Sequence, residues 1–256
     1  MYSFAAMALS SMIDRPVLVA PAAFGADLRA SQVAAAIGRG LEAAGLRPPD
    51  LCPLSGGGDG TIEVLLPALG GETADGFALI EAGATALVEP AREPAGTAAR
   101  LRAAAAAGPA VVVLAAADAG PPHAAQALTQ AGPLGGPRVV VLTGPGSRDD
   151  RPALGAGVLA EPGARFVLEA LGVGARLRAA RAVVVGTGRL DERALEGAVE
   201  GELAVDARQA GVPCHAVVGE RALDLFATRI LDIQRIVEAP TLAAVEAAGA
   251  ALAEVL

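Results

Sequence analysis

Val183-Val184-Val185-Gly186-Thr187-Gly188-Arg189-Leu190-Asp191-Glu192-Arg193-Ala194-Leu195-Glu196-Gly197 sets a β-branched run against two glycines and then a charged stretch. A short apolar run of this kind is the pattern of a strand buried on both faces. The spacing predicts a strand over 182–185, a turn at Gly186-Thr187-Gly188 and a helix from Glu192. Strand, glycine turn and helix in that order form the repeating unit of a parallel α/β sheet. The start of the chain repeats it. Val17-Leu18-Val19-Ala20 is an apolar run ended by Pro21, and Val33, Ile37 and Leu41 recur at helical spacing until Gly45. The glycine-rich loop Ser55-Gly56-Gly57-Gly58-Asp59-Gly60 then leads into a helix beginning near Thr61.

Between these ends the texture changes. Phe77–Ile80 and Thr85–Glu89 flank a short turn and predict an antiparallel hairpin. An Ala-rich helix over 97–107 and buried strands over 111–114 and 139–142 follow. A loop-rich stretch over 143–163 reads as a hinge, with Asp149-Asp150 in a solvated turn. A helical segment from Phe166, a strand at 215–218, a very short one at 236–237 and a terminal helix over 242–255 complete the pass. The expected fold is α/β: a doubly wound, mostly parallel, Rossmann-like domain from residues 1–70 and 163–256. A smaller α/β domain containing the hairpin is inserted over 71–162.

Composition bounds the function. The net charge is −8, and all 20 basic residues are Arg; the sequence has no Lys. Without a basic run, binding to nucleic acid or an anionic membrane is not expected. The apolar stretch at 103–117 is broken by Gly108-Pro109 and is too short to cross a bilayer, and Met1–Ile13 lacks a basic flank. Cys52 and Cys214 have no metal-ligand spacing, so each reads as a buried, reduced thiol that suits the cytoplasm.

Three segments together resemble the bacterial glycerate kinase family (type I): Val17–Pro21 with Phe24, Leu28 and the helix over 33–40; Pro53 through Thr61; and Val183 through Gly197. The third, V-V-V-G-T-G-R-L-D-E-R-A-L-E-G, is similar to the family's V-I-T-G-E-G-R-L-D-E-Q-T-L-E-G-K. The chain is shortened in the middle and departs from the family where charge is expected. Ala22 and Ala23 stand for Asp and Ser, Gly25 for Lys, Gly56 for Asp, Asp59 for Glu, Thr187 for Glu and Ala198 for Lys. Ala115–Pro122 stands where the family carries G-G-S-A-T-N-D-G-G.

The resemblance implies ATP-dependent phosphorylation of glycerate, with ATP and Mg²⁺ as cofactors if the protein is active and none if it is not. Phosphoryl transfer requires phosphate-cradling amides, carboxylates for the metal and a cation. Gly56, Gly57, Gly58, Gly60, Thr61, Gly186 and Gly188 are the candidate phosphate binders; as an alternative, both loops are turns needing glycine's positive φ. Asp59 and Asp191 are the candidate catalytic and metal-binding acids, or else helix caps. Arg189 stands in for the missing Lys, or is a solvated surface side chain. Asp27 is a further acid near the loops; His123 is expected on an exposed loop and His215 in an apolar strand. The expected partner is a small anion (glycerate, phosphate or nucleotide). An inactive relative, a pseudoenzyme that binds such an anion or a partner, is the other outcome this pattern allows.

Overall fold

The computed structural model describes residues 15–147, 154 and 157–256. The Met1–Ile13 segment and the Asp149-Asp150 turn lie outside the described residues. In chain order the elements begin with β1 (Val17–Pro21), α1 (Ala30–Ala43), β2 (Asp50–Leu51), α2 (Thr61–Leu69), β3 (Gly71–Ala74), β4 (Phe77–Ile80) and β5 (Thr85–Val88). Then come α3 (Pro94–Ala106), β6 (Val111–Ala115), α4 (Gly120–Ala131), β7 (Arg138–Thr143), β8 (Val158–Pro162), α5 (Gly163–Ala170) and α6 (Val173–Ala179). Last are β9 (Ala182–Leu190), α7 (Val199–Ala210), β10 (Cys214–Arg221), α8 (Leu225–Ile230), β11 (Ile233–Glu238) and α9 (Leu242–Leu252).

The chain divides into two compact units, residues 1–53, 172–195 and 200–256 in the first, and 54–171 and 196–199 in the second. In the first unit a five-stranded sheet runs β11-β10-β9-β1-β2, parallel throughout. Its three central strands open on buried runs, Val17–Pro21, Ala182–Gly186 and Cys214–Val218, as a sheet covered on both faces requires. One face packs Val17, Val19, Val184 and Val217 against Val33, Ile37 and Leu41 of α1 and Val245, Ala248 and Leu252 of α9. The β1–α1–β2 connection moves one way along the sheet and β9–α7–β10 the other. Right-handed crossovers then place α1 and α7 on opposite faces, and the strand order reverses between β1 and β9. In open α/β sheets, ligands bind outside the carboxyl ends of the strands at such a point.

The second unit is a six-stranded sheet ordered β3-β4-β5-β6-β7-β8. The expected hairpin is present as antiparallel β4 and β5, with β3 added antiparallel at the edge. From β5 to β8 the strands are parallel. Leu101 and Ala104 of α3 and Ala124 and Ala127 of α4 cover one face, closing on Val112, Leu114 and Val141.

Several expectations change. The break expected at residue 70 falls at Pro53, because the glycine-rich turn and α2 make their contacts within the second unit. Strand β8 occupies part of the stretch read as a hinge, paired with β7 from Val139 to Thr143. Strand β9 does not stop at Val185: its pairing with β10 continues to Leu190. Only a 3₁₀ turn, Glu192–Leu195, stands where a helix was expected, and α7 begins at Val199.

Candidate functional site

In the second unit the turn before α2 is built on buried hydroxyls. Ser55 Oγ and Thr61 Oγ1 lie 3.0 Å apart, Thr61 donates to Gly58 O at 2.6 Å, and the Gly57 amide donates to Ser55 Oγ at 3.2 Å. Gly57 has φ +88°, and a side chain there would meet the backbone of Gly163. A side chain at Gly58 would strike the Asp118 carboxylate. These two glycines answer to the chain's own packing. Gly56 differs, with an ordinary φ and open space where a Cβ would stand.

The amides at the start of α2 face carboxylates of the same chain. Asp118 accepts from the Asp59 amide at 2.8 Å, and Glu89 accepts from Ile62 at 2.9 Å and also from Gly60. Glu89 follows β5 and Asp118 follows β6, so both reach in from the carboxyl ends of parallel strands. Burial raises the Glu89 pKa, with Asp59's charge adding to it, while the Ile62 and Gly60 amides and Arg100 pull the other way. The helix N-terminus that could hold a phosphate is thus partly occupied by internal anions.

In the first unit Gly186-Thr187-Gly188 is strand, not turn, and neither glycine has positive φ. They are small because backbones approach closely: a side chain at Gly186 would meet Pro21 and Phe24, and one at Gly188 the backbone of Phe24 and Gly25. The expectation of a second turn leading into a helix is therefore corrected, since pairing to β10 carries the chain straight through it. Asp191 follows the strand. Its Oδ1 accepts from the Arg193 amide and Nε, both at 3.1 Å, and its Oδ2 faces Arg189 Nε at 3.6 Å. Burial opposes ionisation of Asp191, but the Arg193 donors and the two guanidinium charges prevail and lower its pKa. Arg189 also pairs with Glu220. Beneath them Glu200 is only 7% exposed and hydrogen-bonds Thr187. Burial raises its pKa, and Asp191's charge adds to the rise.

Asp27 lies exposed in a turn. His123 is not on an exposed loop: it lies half-buried in the first turn of α4, with Nε2 2.9 Å from Thr97 Oγ1. His215 sits in β10 as expected, 3% exposed, and its Nδ1 lacks a partner. Cys52 and Cys214 are free and buried, and burial pushes their thiols up to about 11 and about 12.

The sequence pattern of the glycerate kinase family matches residues 17–128 and 152–254, most of the chain. The chain belongs to the glycerate kinase family. No curated protein matches it. Among solved structures it is similar to one described as "putative glycerate kinase 2 from Salmonella typhimurium LT2", at 17% identity and a TM-score of 0.62, over 94% of this chain and 98% of that one. At that identity the likeness speaks for the fold.

The family uses ATP, so the fit of such a cofactor to these residues can be tested. Both oxygens of Asp191 face guanidinium groups that a divalent cation would have to displace. Among the described residues no group of three or more His, Cys, Asp or Glu side chains could hold a metal ion, and no Lys exists to meet a phosphoryl group. The residues do not fit bound Mg²⁺ as they stand. Sequence reasoning missed Glu89, Asp118, Glu200 and Glu220. Glu89, Asp118 and Glu220 are ordinary-looking acids at or just beyond strand ends and Glu200 lies in the first turn of α7, and only the tertiary fold brings each to its loop. No helix among the described residues is long and apolar enough to cross a membrane.

Proposed function

We propose that this glycerate kinase-family protein binds a small anion, whether glycerate, phosphate or nucleotide, without transferring a phosphoryl group from ATP to glycerate at an ordinary enzymatic rate. One observation carries the reading: Asp191 and Arg189, two of the charged groups expected to perform the chemistry, and the amides before α2 are taken up by partners within the chain. Asp191 is held by Arg193 and Arg189, Arg189 by Glu220, and the amides of Asp59, Gly60 and Ile62 by Asp118 and Glu89. Transition-state charge needs preorganised donors and cations free to meet it. Open space at Gly56 leaves an approach for a ligand that does not require the occupied amides. The buried free thiols suit a cytoplasmic protein.

The test is an assay of the purified protein with ATP, Mg²⁺ and D-glycerate. Phosphoglycerate formation is expected to stay at background; turnover in the usual range of about 1–10³ s⁻¹ would overturn the proposal. The active-kinase reading draws on one specific observation, the family match through Asp191. It requires Arg193 and Arg189 to release that carboxylate when substrate binds.

A further inference from the structure

Helix α8 of the first unit turns its apolar side outward. Asp224 caps it, with Oδ1 accepting from the Ala227 amide at 2.7 Å. At about 100° per residue, Leu225, Phe226, Arg229 and Ile230 share an arc of about 140°, and Ala227 and Thr228 lie on the other side. Ala227 and Thr228 are buried, whereas Leu225 is 69% exposed, Phe226 73% and Ile230 43%. The unit holds the helix in this orientation from behind. Arg208 donates to Ile230 O at 2.6 Å, Arg221 donates to Thr228 Oγ1 at 3.4 Å, and Leu223 and Leu231 are buried before and after the helix.

Aromatics make up only 2% of this chain, and Phe24 and Phe77 are buried. Leu, Phe and Ile left together in water on one face are unfavourable and mark an interaction surface, unlike apolar residues scattered singly. The charges on the helix say what covers it. Asp224 and Arg229 are both exposed, and neither has an oppositely charged partner among the described residues. They stand five residues apart, about 7.5 Å along the axis. Two copies of α8 packed antiparallel, about a two-fold axis at the helix midpoint, bring each Asp224 level with Arg229 of the other copy. The same axis brings the two Phe226 rings together. One helix therefore carries both halves of two ion pairs, and its face is complementary to itself.

We propose that the exposed face of α8 is a self-association surface, covered by α8 of a second copy of this chain in antiparallel orientation. The Phe226 rings form the centre of the contact, Leu225 and Ile230 flank them, and an Asp224–Arg229 pair at each end fixes the register. A parallel arrangement would set like charges side by side, which disfavours it. Standard interfaces bury about 800 Å² per partner, more than three partly exposed side chains supply, so the association is weak and reversible.

Sedimentation equilibrium of the full chain, from about 1 μM to about 1 mM, reads the oligomeric state. A reversible monomer–dimer equilibrium with Kd of about 10–100 μM is expected. Phe226→Asp changes an exposed side chain, so the denaturation midpoint should stay as in wild type while Kd rises about tenfold or more. Asp224→Asn keeps a capping side chain and removes the charge, and Arg229→Gln removes the other; each should raise Kd about threefold. The double variant should dimerise no more weakly than either single one, because one substitution already breaks the pair. The proposal is overturned if wild type remains monomeric up to about 1 mM. It is equally overturned if Phe226→Asp dimerises as wild type does, or if assembly continues past the dimer, which a closed two-fold contact forbids. Additive losses from Asp224→Asn and Arg229→Gln would overturn the antiparallel pairing.

Discussion

The turn at 55–61 and the segment at 186–191 carry similar glycine spacing and obtain opposite structures from it. In the turn, Gly57 and Gly60 take left-handed φ values of +88° and +80°, and the chain reverses into α2. In the segment, Gly186 and Gly188 stay in an extended strand, and their smallness admits Pro21, Phe24 and Gly25. Glycine permits a positive φ in the first case and a close backbone approach in the second. A glycine pair is therefore no indicator of a phosphate cradle until its φ and its neighbours are known.

Substitutions can sharpen or break this contrast. Gly57→Val combines a left-handed φ with a clash against Gly163 backbone and should destabilise the second unit by about 3–5 kcal/mol in urea denaturation. Gly188→Ala meets backbone but no φ penalty, so about 1–3 kcal/mol is expected from the first unit. Equal losses from the two would erase the distinction. Ser55→Ala removes the hydroxyl shared by Gly57 N and Thr61 and should cost about 1–2 kcal/mol. Gly56→Ala should be neutral or stabilising by about 0.5 kcal/mol, since nothing lies within reach of its Cβ. Arg189→Ala, an exposed pair with Glu220, should change stability by no more than about 0.5 kcal/mol.

Titration separates buried groups of opposite sign within the first unit. Glu200 has a raised folded pKa, so the unfolded chain loses this proton first as pH rises. Its unfavourable contribution appears as pH climbs through the ordinary Glu range and levels off above the folded value. Glu200→Gln should therefore gain stability relative to wild type between pH 4 and 8. His215 has a lowered folded pKa, from burial first and Arg235's charge second. Its penalty appears as pH falls below the ordinary His value of about 6.5, and His215→Gln should remove that loss. Denaturation midpoints across pH test both, and parallel pH profiles for the two variants would refute the assignment.

Much of the fold was legible. The apolar runs at 17–20, 111–114, 139–142 and 215–218 are strands, and the hairpin at 77–88 is present. The failures have identifiable causes. α4 begins Gly120-Pro121-Pro122, which reads as a loop, yet proline is tolerated in a first helical turn because its missing N–H has no partner there. β8, Val-Leu-Ala-Glu-Pro, lies among glycines and prolines that read as loop, and it is half exposed at the sheet edge, beside β7 alone. β9 was cut short because glycine pairs ordinarily signal turns, and here β10 holds them extended. At the loops, Asp59, Asp191 and Arg189 could be named from the sequence, but not that Asp191 and Arg189 are bound to other side chains.

By itself the sequence determined the alternation of strand and helix, the family, and the absence of any Lys for the chemistry, because hydrophobic period and residue identity are local properties. Only the tertiary structure decided which glycines turn and which admit a neighbour, and that Glu89 and Asp118 reach the amides before α2. Those outcomes depend on residues dozens of positions apart meeting at strand ends, and a local pattern carries no information about where a distant carboxylate arrives.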